Sequence, residues 1–297
     1  MHPTPGNDLV FIVGCGDIGQ RVARLETAAG RGVIALARSD ASAQRLARLN
    51  IRFVRGDLDH PASLDPLQPV RGLVYYFAPP PGSGFEDPRL HAFLSALRTD
   101  ALPDRIVYIS TSGVYGDGNG AWMDEDWPLC PTSDRGKRRL AAETHLQDWG
   151  ALHDVPVVIL RAPGIYGPGR LPLERIRRGI PVLNETDSPW SNRIHADDLA
   201  TACLAAARRG RPGQAYNVTD GQPTTMTDYF WRIADCFGLP RPPAISMEEA
   251  RTVLTPSMLS FLVESRRLSN RRLVEELGVT LAYPDLSLGL LACKEDG

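Results

Sequence analysis

Three glycines open the chemistry of this chain. Gly14, Gly16 and Gly19 stand in the run VGCGDIG with G-x-G-x-x-G spacing. Glycine is frequent here, 27 of 297 residues, so the spacing gains meaning from its flanks. An apolar strand precedes it and an amphipathic helix follows. In that setting the first glycine allows a tight turn and the second lets backbone N–H groups approach a pyrophosphate. The helix N-terminus adds partial positive charge. The next strand ends Ala35-Leu36-Ala37-Arg38-Ser39. An NAD site carries an acid at such a strand end to bind ribose hydroxyls. Here Ala37 holds that place, and Arg38 suits a 2′-phosphate gripped bidentately. NADP is the expected cofactor and NAD the alternative, against the plainer reading of a solvent-facing arginine. Asp57, in RGDLD, is placed to reach an adenine amino group or is a simple turn aspartate.

Other clusters read more plainly. Asp124, Glu125 and Asp126 form a solvated turn before Trp127-Pro128. His195 with Asp197 and Asp198 suggests a base or a metal ligand. The plainer reading has Asp197 capping the following helix and His195 packed between lobes. His145 and His153 lack ligand spacing, so no metal is expected. Arg135, Arg138 and Arg139 read as a solvated helix face.

These residues need a scaffold, and the first half of the chain supplies one by alternating strand and helix. Leu9–Val13 is wholly apolar, as a buried parallel strand should be. Ile18, Val22 and Leu25 then recur at helical spacing. Further strands are expected at Val33–Ala37, Ile51–Val54, Leu73–Phe77, Ile106–Ile109 and Val155–Leu160. Leu90, Phe93, Leu94 and Leu97 mark the inner face of one helix, and residues 136–149 read as another. The pattern predicts an α/β fold, a Rossmann-type doubly wound parallel sheet covered on both faces. After about residue 165 prolines and glycines loosen it. Helices are expected near Asp197–Arg208, 227–237, 246–254 and 270–277, the last stopped by Gly278, with a short strand at Ala215–Val218. The division expected is a dinucleotide-binding domain over 1–165 and a smaller α/β substrate lobe over 166–297. Some elements of the second part are free to return to the first.

Bulk properties narrow the class. Apolar residues make up 43% and charged residues 23%, the profile of a soluble globular protein. A net charge of −2 offers no basic field for nucleic acid or an anionic membrane. No apolar run approaches the ~18 residues that span a bilayer. The five cysteines, at 15, 130, 203, 236 and 293, form no CxxC pair and read as reduced thiols. The N-terminus lacks the basic region and cleavage site of a signal peptide, so a cytoplasmic location is expected.

With these pieces in order the chain resembles an extended or atypical short-chain dehydrogenase/reductase, of the NAD(P)-dependent epimerase/dehydratase type. VGCGDIG looks like the cofactor loop, VYISTSGVYGD (107–117) like the fifth strand and its substrate-touching serine and threonine. ILRAPGIYGPG (159–169) is similar to the segment beneath the nicotinamide. NRIHADDLA (192–200) and AYNVTDGQP (215–223) resemble small-lobe landmarks, and residues 124–126 the family's acidic loop. The resemblance implies cofactor contacts from Gly14, Gly16, Asp17, Ile18 and Gly19, from Arg38, Asp57 and Leu58, from Phe77, Ala78 and Pro79, and from Pro163 and Ile165. It implies that Thr111 and Ser112 meet the substrate carbonyl and that Trp190, Asn192 and Arg193 face the substrate, Arg193 as a candidate for an anionic group. The implied partners are a small-molecule substrate and, as an option, a second copy in a homodimer.

The family's catalytic pair is Tyr-x-x-x-Lys, often continued Leu-x-x-Glu. The segment here is PTSDRGKRRLAAE, 131–143. Anchoring on Leu140 and Glu143 puts Arg139 at the lysine and Arg135 at the tyrosine. Anchoring on Lys137 puts Ser133 there. No tyrosine occurs between Tyr115 and Tyr166, so no shift of register restores one. The chain therefore resembles a subgroup that keeps the glycine motif and lacks the tyrosine. Arginine stays protonated and cannot cycle a proton. A positioned acid–base contributes roughly 10²–10⁴ in rate, about 3–5 kcal/mol of barrier. Thr111 and Ser112 can still hydrogen-bond a carbonyl, and Arg135 can stabilise an alkoxide while water supplies the proton. Two readings stay open. One is an oxidoreductase or epimerase-like enzyme on a small or nucleotide-linked carbonyl or hydroxyl substrate, without the usual tyrosine. The other is a catalytically weak or inactive dinucleotide-binding sensor or regulatory protein.

Overall fold

The computed structural model describes residues 9–65 and 71–295. The first part runs β1 (Leu9–Val13), α1 (Asp17–Ala28), β2 (Gly32–Ala37), α2 (Asp40–Arg48), β3 (Arg52–Arg55), β4 (Leu73–Tyr76), α3 (Pro88–Ala96), β5 (Arg105–Thr111), β6 (Trp122–Met123), α4 (Asp134–His153) and β7 (Val157–Ala162). Then follow β8 (Gly164–Tyr166), α5 (Leu173–Arg177), β9 (Val182–Leu183), β10 (Trp190–Ser191), β11 (Arg193–His195), α6 (Ala196–Arg209), β12 (Ala215–Asn217), β13 (Thr224–Thr225), α7 (Met226–Cys236), β14 (Ala244–Ile245), α8 (Met247–Val253), α9 (Pro256–Leu259), β15 (Arg267–Leu268), α10 (Arg271–Glu275) and α11 (Leu286–Glu295).

The central sheet has the order β12-β7-β5-β4-β1-β2-β3, with every neighbouring pair parallel. Side-chain alternation fills both faces. Val10, Ile12 and Tyr75 pack with α1 and α6 on one side. Phe11, Val13 and Tyr76 pack with Phe93 and Leu146 of α3 and α4 on the other. The chain leaves β1 outward through β2 and β3, then returns to β4 on β1's other side. That reversal opens a crevice at the carboxyl ends of β1 and β4, where open α/β sheets bind ligands. β12 and α6 come from the later half yet join this sheet and pack on α1. The remaining later elements pair in short ribbons, β8 with β11, β9 with β14, β10 with β13, and β6 with β15.

Several expectations shift by local physics. The buried arc of α1 centres on Val22 and Glu26, so Leu25 lies at its margin and is 37% exposed. Buried Glu26 accepts the Tyr75 hydroxyl and lies within 4 Å of Arg31 and Arg208. The helix read at 136–149 begins earlier, because Ser133 caps it by accepting the Gly136 amide, and ends at left-handed Asp154. The helix read at 270–277 shortens to α10. Helix α11 has no counterpart in the sequence reading. Its Leu286, Leu290 and Cys293, at i, i+4 and i+7, pack with Tyr166 and α7. The acidic turn at 124–126 is not wholly solvated, since Glu125 is buried and its Oε1 accepts the Asn217 amide at 2.8 Å.

That carboxylate belongs to a buried network around Arg161 on β7. Arg161 donates to Glu143 of α4 through Nη2 at 2.9 Å and Nε at 3.2 Å, and to the Tyr115 hydroxyl at 3.0 Å. Tyr115 donates on to Asn217 of β12 at 2.8 Å. Removing one partner of a buried pair strands the other charge at a cost of about 3–5 kcal/mol. Glu143→Ala is expected to lose that much in urea unfolding, and Glu143→Gln, which keeps an acceptor, distinctly less.

Candidate functional site

Two cavities open at the carboxyl ends of the sheet strands. The first, about 480 Å³, lies where β1, β2, β3 and β4 end. Gly14 has a left-handed φ of +88°, and a Cβ there would collide with the Ala78 amide nitrogen. Gly16 meets nothing within 4 Å of its would-be Cβ. Only that second position faces open space, as close approach of a ligand requires. Gly16 also starts α1 without any side-chain cap, so first-turn N–H groups stay available to a phosphate. Gly19 packs α1 against the turn, its would-be Cβ 3.0 Å from the Gly14 carbonyl. Arg38, Asp57, Leu58, Phe77, Ala78 and Pro79 all line this cavity. Asp17 turns away, its carboxylate taken by Arg21 at 3.0 Å and Arg170 at 2.9 Å, and Ile18 is buried in the core. Their backbone groups are what they can offer a ligand.

Electrostatics in this cavity favour an anion. Arg38 is 65% exposed, and its nearest acid, Asp59, stands 3.9 Å away. Asp59 is already gripped by both prongs of Arg89 at 2.7 Å, which hold its carboxyl below the usual range. Arg45 of α2 lines the same wall. The sequence reading missed Arg45 and Arg89. The signal for Arg45 lay in the spacing 38, 41, 42, 45, one face of the helix after the strand end. Asp57 accepts the Asp59 amide at 3.0 Å and contacts His60 Nδ1 at 3.2 Å, the geometry of a turn aspartate whose side chain also borders the cavity.

The second cavity, about 600 Å³, lies between the ends of β5 and β7 and the later elements. Thr111, Ser112, Arg135, Pro163, Ile165, Trp190, Asn192 and Arg193 all line it. Thr111 caps the turn Ser112–Tyr115 by accepting the Gly113 amide at 3.2 Å, which leaves its hydroxyl hydrogen free to donate. Arg135 stacks on Phe261 at 4.4 Å and feels Glu264, while burial pushes its pKa down. Asn192 is committed to structure. Its amide donates to the Arg266 carbonyl at 3.0 Å and its oxygen accepts the Leu268 amide at 2.8 Å.

Three readings of the sequence need correction. Arg139 stands apart from both cavities, donating to the Tyr108 hydroxyl at 2.8 Å and the Ile109 carbonyl at 3.1 Å. Arg138 is buried and donates to the Gly84 carbonyl at 2.7 Å, so 135–139 is no uniformly solvated face. The cap of α6 is His195, whose Nδ1 accepts the Asp197 amide at 3.3 Å, while Asp197 itself pairs with Arg21. His195 is buried between Tyr166 and Tyr283. Asp198 is buried and anchors the amides of Ala282 and Tyr283.

Two variants follow from this geometry. Gly16→Val introduces a side chain into open space at an ordinary φ of −79°, so the fold should survive while dinucleotide binding is lost. Unchanged cofactor affinity by titration would refute the role of the turn. Asp220, beyond β12, is buried, and that burial lifts its carboxyl from 3.8 to about 7. The folded state then holds a proton that the unfolded state releases, so stability falls as pH rises between these values and the penalty is complete above them. Asp220→Asn keeps an acceptor for the Gln222 amide. It should match the wild type near pH 4 and exceed it near pH 8 by on the order of 2–4 kcal/mol, at ~1.36 kcal/mol per tenfold. Urea melts at both pH values give the difference.

Known proteins share this architecture. The sequence model of the NAD dependent epimerase/dehydratase family matches residues 91–219. A dTDP-D-glucose 4,6-dehydratase from Bos taurus is 31% identical over 136 residues, 43% of this chain and 38% of that protein. The match thus spans about two-fifths of that relative's length. A functionally unknown conserved protein from Silicibacter pomeroyi DSS superposes with a TM-score of 0.82 at 32% identity, covering 98% of this chain and 99% of the other. A Methylobacillus flagellatus protein ascribed to the NAD-dependent epimerase/dehydratases superposes with a TM-score of 0.71 at 30% identity, covering 98% and 100%. With its glycine turn, its parallel sheet and this end-to-end likeness, the chain belongs to the NAD-dependent epimerase/dehydratase family of extended short-chain dehydrogenases/reductases.

Proposed function

We propose that the protein is an NADP-dependent oxidoreductase or epimerase-like enzyme acting on a small or nucleotide-linked carbonyl or hydroxyl compound. The observation that carries this reading is the pairing of two cavities at one sheet edge. One has an uncapped glycine turn with Arg38 and Arg45 beside it and no acid at Ala37. The other has Thr111, Ser112 and Arg135. A bound nicotinamide cofactor would supply hydride chemistry. The protein's own groups do the rest. Gly14, Gly16 and the start of α1 receive the pyrophosphate, Arg38 and Arg45 the 2′-phosphate, and Leu58, Phe77, Ala78 and Pro79 the adenosine half. Thr111 and Ser112 hydrogen-bond the substrate oxygen, and Arg135 stabilises negative charge that develops on it. Water supplies the proton. Arg139 acts as a positioning residue beneath β5. The domain division at about residue 165, the cytoplasmic location and the optional homodimer belong to the same reading. Among the described residues no helix is long and apolar enough to cross a membrane.

A second reading, a dinucleotide-binding sensor with little turnover, is favoured by the α4 start. One register puts the capping Ser133 at the tyrosine position and the other the permanently charged Arg135, so neither provides a phenol. Turnover of NADPH against a carbonyl panel separates the two. Tight NADPH binding without turnover supports the sensor.

Cofactor choice is the direct test. A charge-assisted hydrogen bond contributes roughly 1.5–3 kcal/mol net, or about ten- to a hundredfold in affinity. Calorimetry should show NADPH bound tighter than NADH by such a factor, with the gap shrinking as salt rises because Arg38 is exposed. Arg38→Ala should weaken NADPH and spare NADH, and adding Ala37→Asp should reverse the order. Equal wild-type affinities would refute the NADP assignment.

A further inference from the structure

Two walls of the second cavity are built differently. Thr111 and Pro163 stand at strand ends held by parallel pairing, Thr111 opposite Ala162. Another wall comes from one short stretch, in which Met258, Phe261, Leu262 and Glu264 line the cavity. The backbone bonds of that stretch close locally. The amides of Leu259, Ser260, Phe261 and Leu262 donate to the carbonyls of Thr255, Pro256, Met258 and Leu259. Thr255 caps the turn by accepting the Met258 amide. Before it, Leu254 leaves α8 in an extended conformation. After it, the chain is fastened. The Ser265 amide donates to Asp117 at 2.7 Å, the Ser265 carbonyl accepts from Gly118 and Gly120, and the Arg266 amide donates to the Trp190 carbonyl. A self-bonded turn between an extended joint and a fixed point can swing as a unit, because its own hydrogen bonds survive the motion.

Packing permits such a swing. Leu254 and Leu262 are buried in a cluster with Met226, Met247 and Met258 packed against it. Three of the chain's five methionines gather there, and unbranched thioethers repack readily. Apolar side chains also stand on the outer side. Phe261 is 47% and Val263 61% exposed, with buried Leu262 between them. A segment with one fixed position needs one apolar face, and this one has two. It is joined to the start of α4 by the Arg135 guanidinium, 4.4 Å over the Phe261 ring, and by Thr132, whose hydroxyl donates to Glu264 Oε1 at 3.0 Å. Arg135 is the residue that stands at an expected tyrosine position, so the group that the strand ends face from α4 is held in place by this stretch.

We propose that residues 255–264 form a strap that swings about Leu254 and Ser265 to open and close the second cavity, and that its latch on Thr132 and Arg135 sets the guanidinium at the cavity wall when the strap is down. Opening admits a ligand, and closing excludes water from Thr111 and Ser112. The use made of Arg135 rests on the oxidoreductase reading above; the motion itself does not.

Hydrogen exchange of the full chain, read amide by amide, tests the motion. In the wild type the Leu259 and Leu262 amides should exchange together and faster than those of β5. Phe261→Ala should speed both by about two- to fivefold, the effect of one stacked cation at an exposed ring. Thr132→Val keeps the shape, removes the donor, and should speed them by about two- to tenfold. The double variant should exceed either, with β5 and α6 unchanged in all three. Leu259 and Leu262 amides as protected as those of β5, latch variants that exchange as the wild type does, or variants that speed β5 along with the strap would overturn the proposal. NADPH turnover on the carbonyl panel, run alongside, tests the latch's hold on Arg135. Thr132→Val should lower kcat and leave KM nearly unchanged, and an unchanged kcat would remove that hold. The two ideas fail separately. Turnover with a protected strap would leave the enzyme reading and remove the strap, while latch-sensitive exchange without turnover would do the reverse.

Discussion

A single guanidinium ties the two halves of this fold together. Arg161 enters the sheet interior on β7 and is held by Glu143 of α4, by Tyr115 of the turn after β5 and, through Tyr115, by Asn217 of β12. Burial would drive its charge out, but the contact with Glu143 wins and raises its pKa. Across the sheet Arg161 stands opposite Ser110, so the strand ends that follow, Thr111 and Ala162, are fixed relative to each other. These ends lead into Ser112 and Pro163, which line the second cavity. The site's sheet-side wall therefore inherits its rigidity from an ion pair that never meets a ligand.

The α4 start shows how tightly that wall is built. A Cβ on Gly136 would stand 2.6 Å from the Gly113 carbonyl, so the helix begins pressed against the turn that presents Thr111 and Ser112. Ser133 closes the first turn. Of the two expected tyrosine positions, 133 holds the helix cap and 135 holds the arginine that reaches the cavity over Phe261. Where α4 would be expected to bring a tyrosine to the cavity, it brings the fixed positive charge of Arg135.

What could be read from the sequence is what is local. The glycine turn, the apolar strands and the Ala37–Arg38 strand end depend on spacing within about 30 residues, and each stands in the fold where that spacing puts it. Long-range features were not legible in the same way. Arg89 reaches the first cavity from α3, where it grips Asp59. Glu125 looked like a member of a solvated acidic run until β12 brought the Asn217 amide to it. The short ribbons, such as β6 with β15, join residues far apart in sequence and leave no periodic mark in two-residue strands. Helix α11 did leave a mark, Leu286, Leu290 and Cys293, but it is short and becomes decisive only against Tyr166.

The bridge from Arg170 to Asp17 bears on how two ligands would share this molecule. Asp17 lies in the first turn of α1, beside the glycine turn, and Arg170 lines the second cavity. Charge placed at one end of that pair alters what the arginine can offer at the other. Binding free energies are reciprocal, so any coupling the bridge transmits acts with equal size in both directions. Any coupling carried by this bridge, from the start of α1 to the lining of the second cavity, would therefore show equally in the affinity of either ligand.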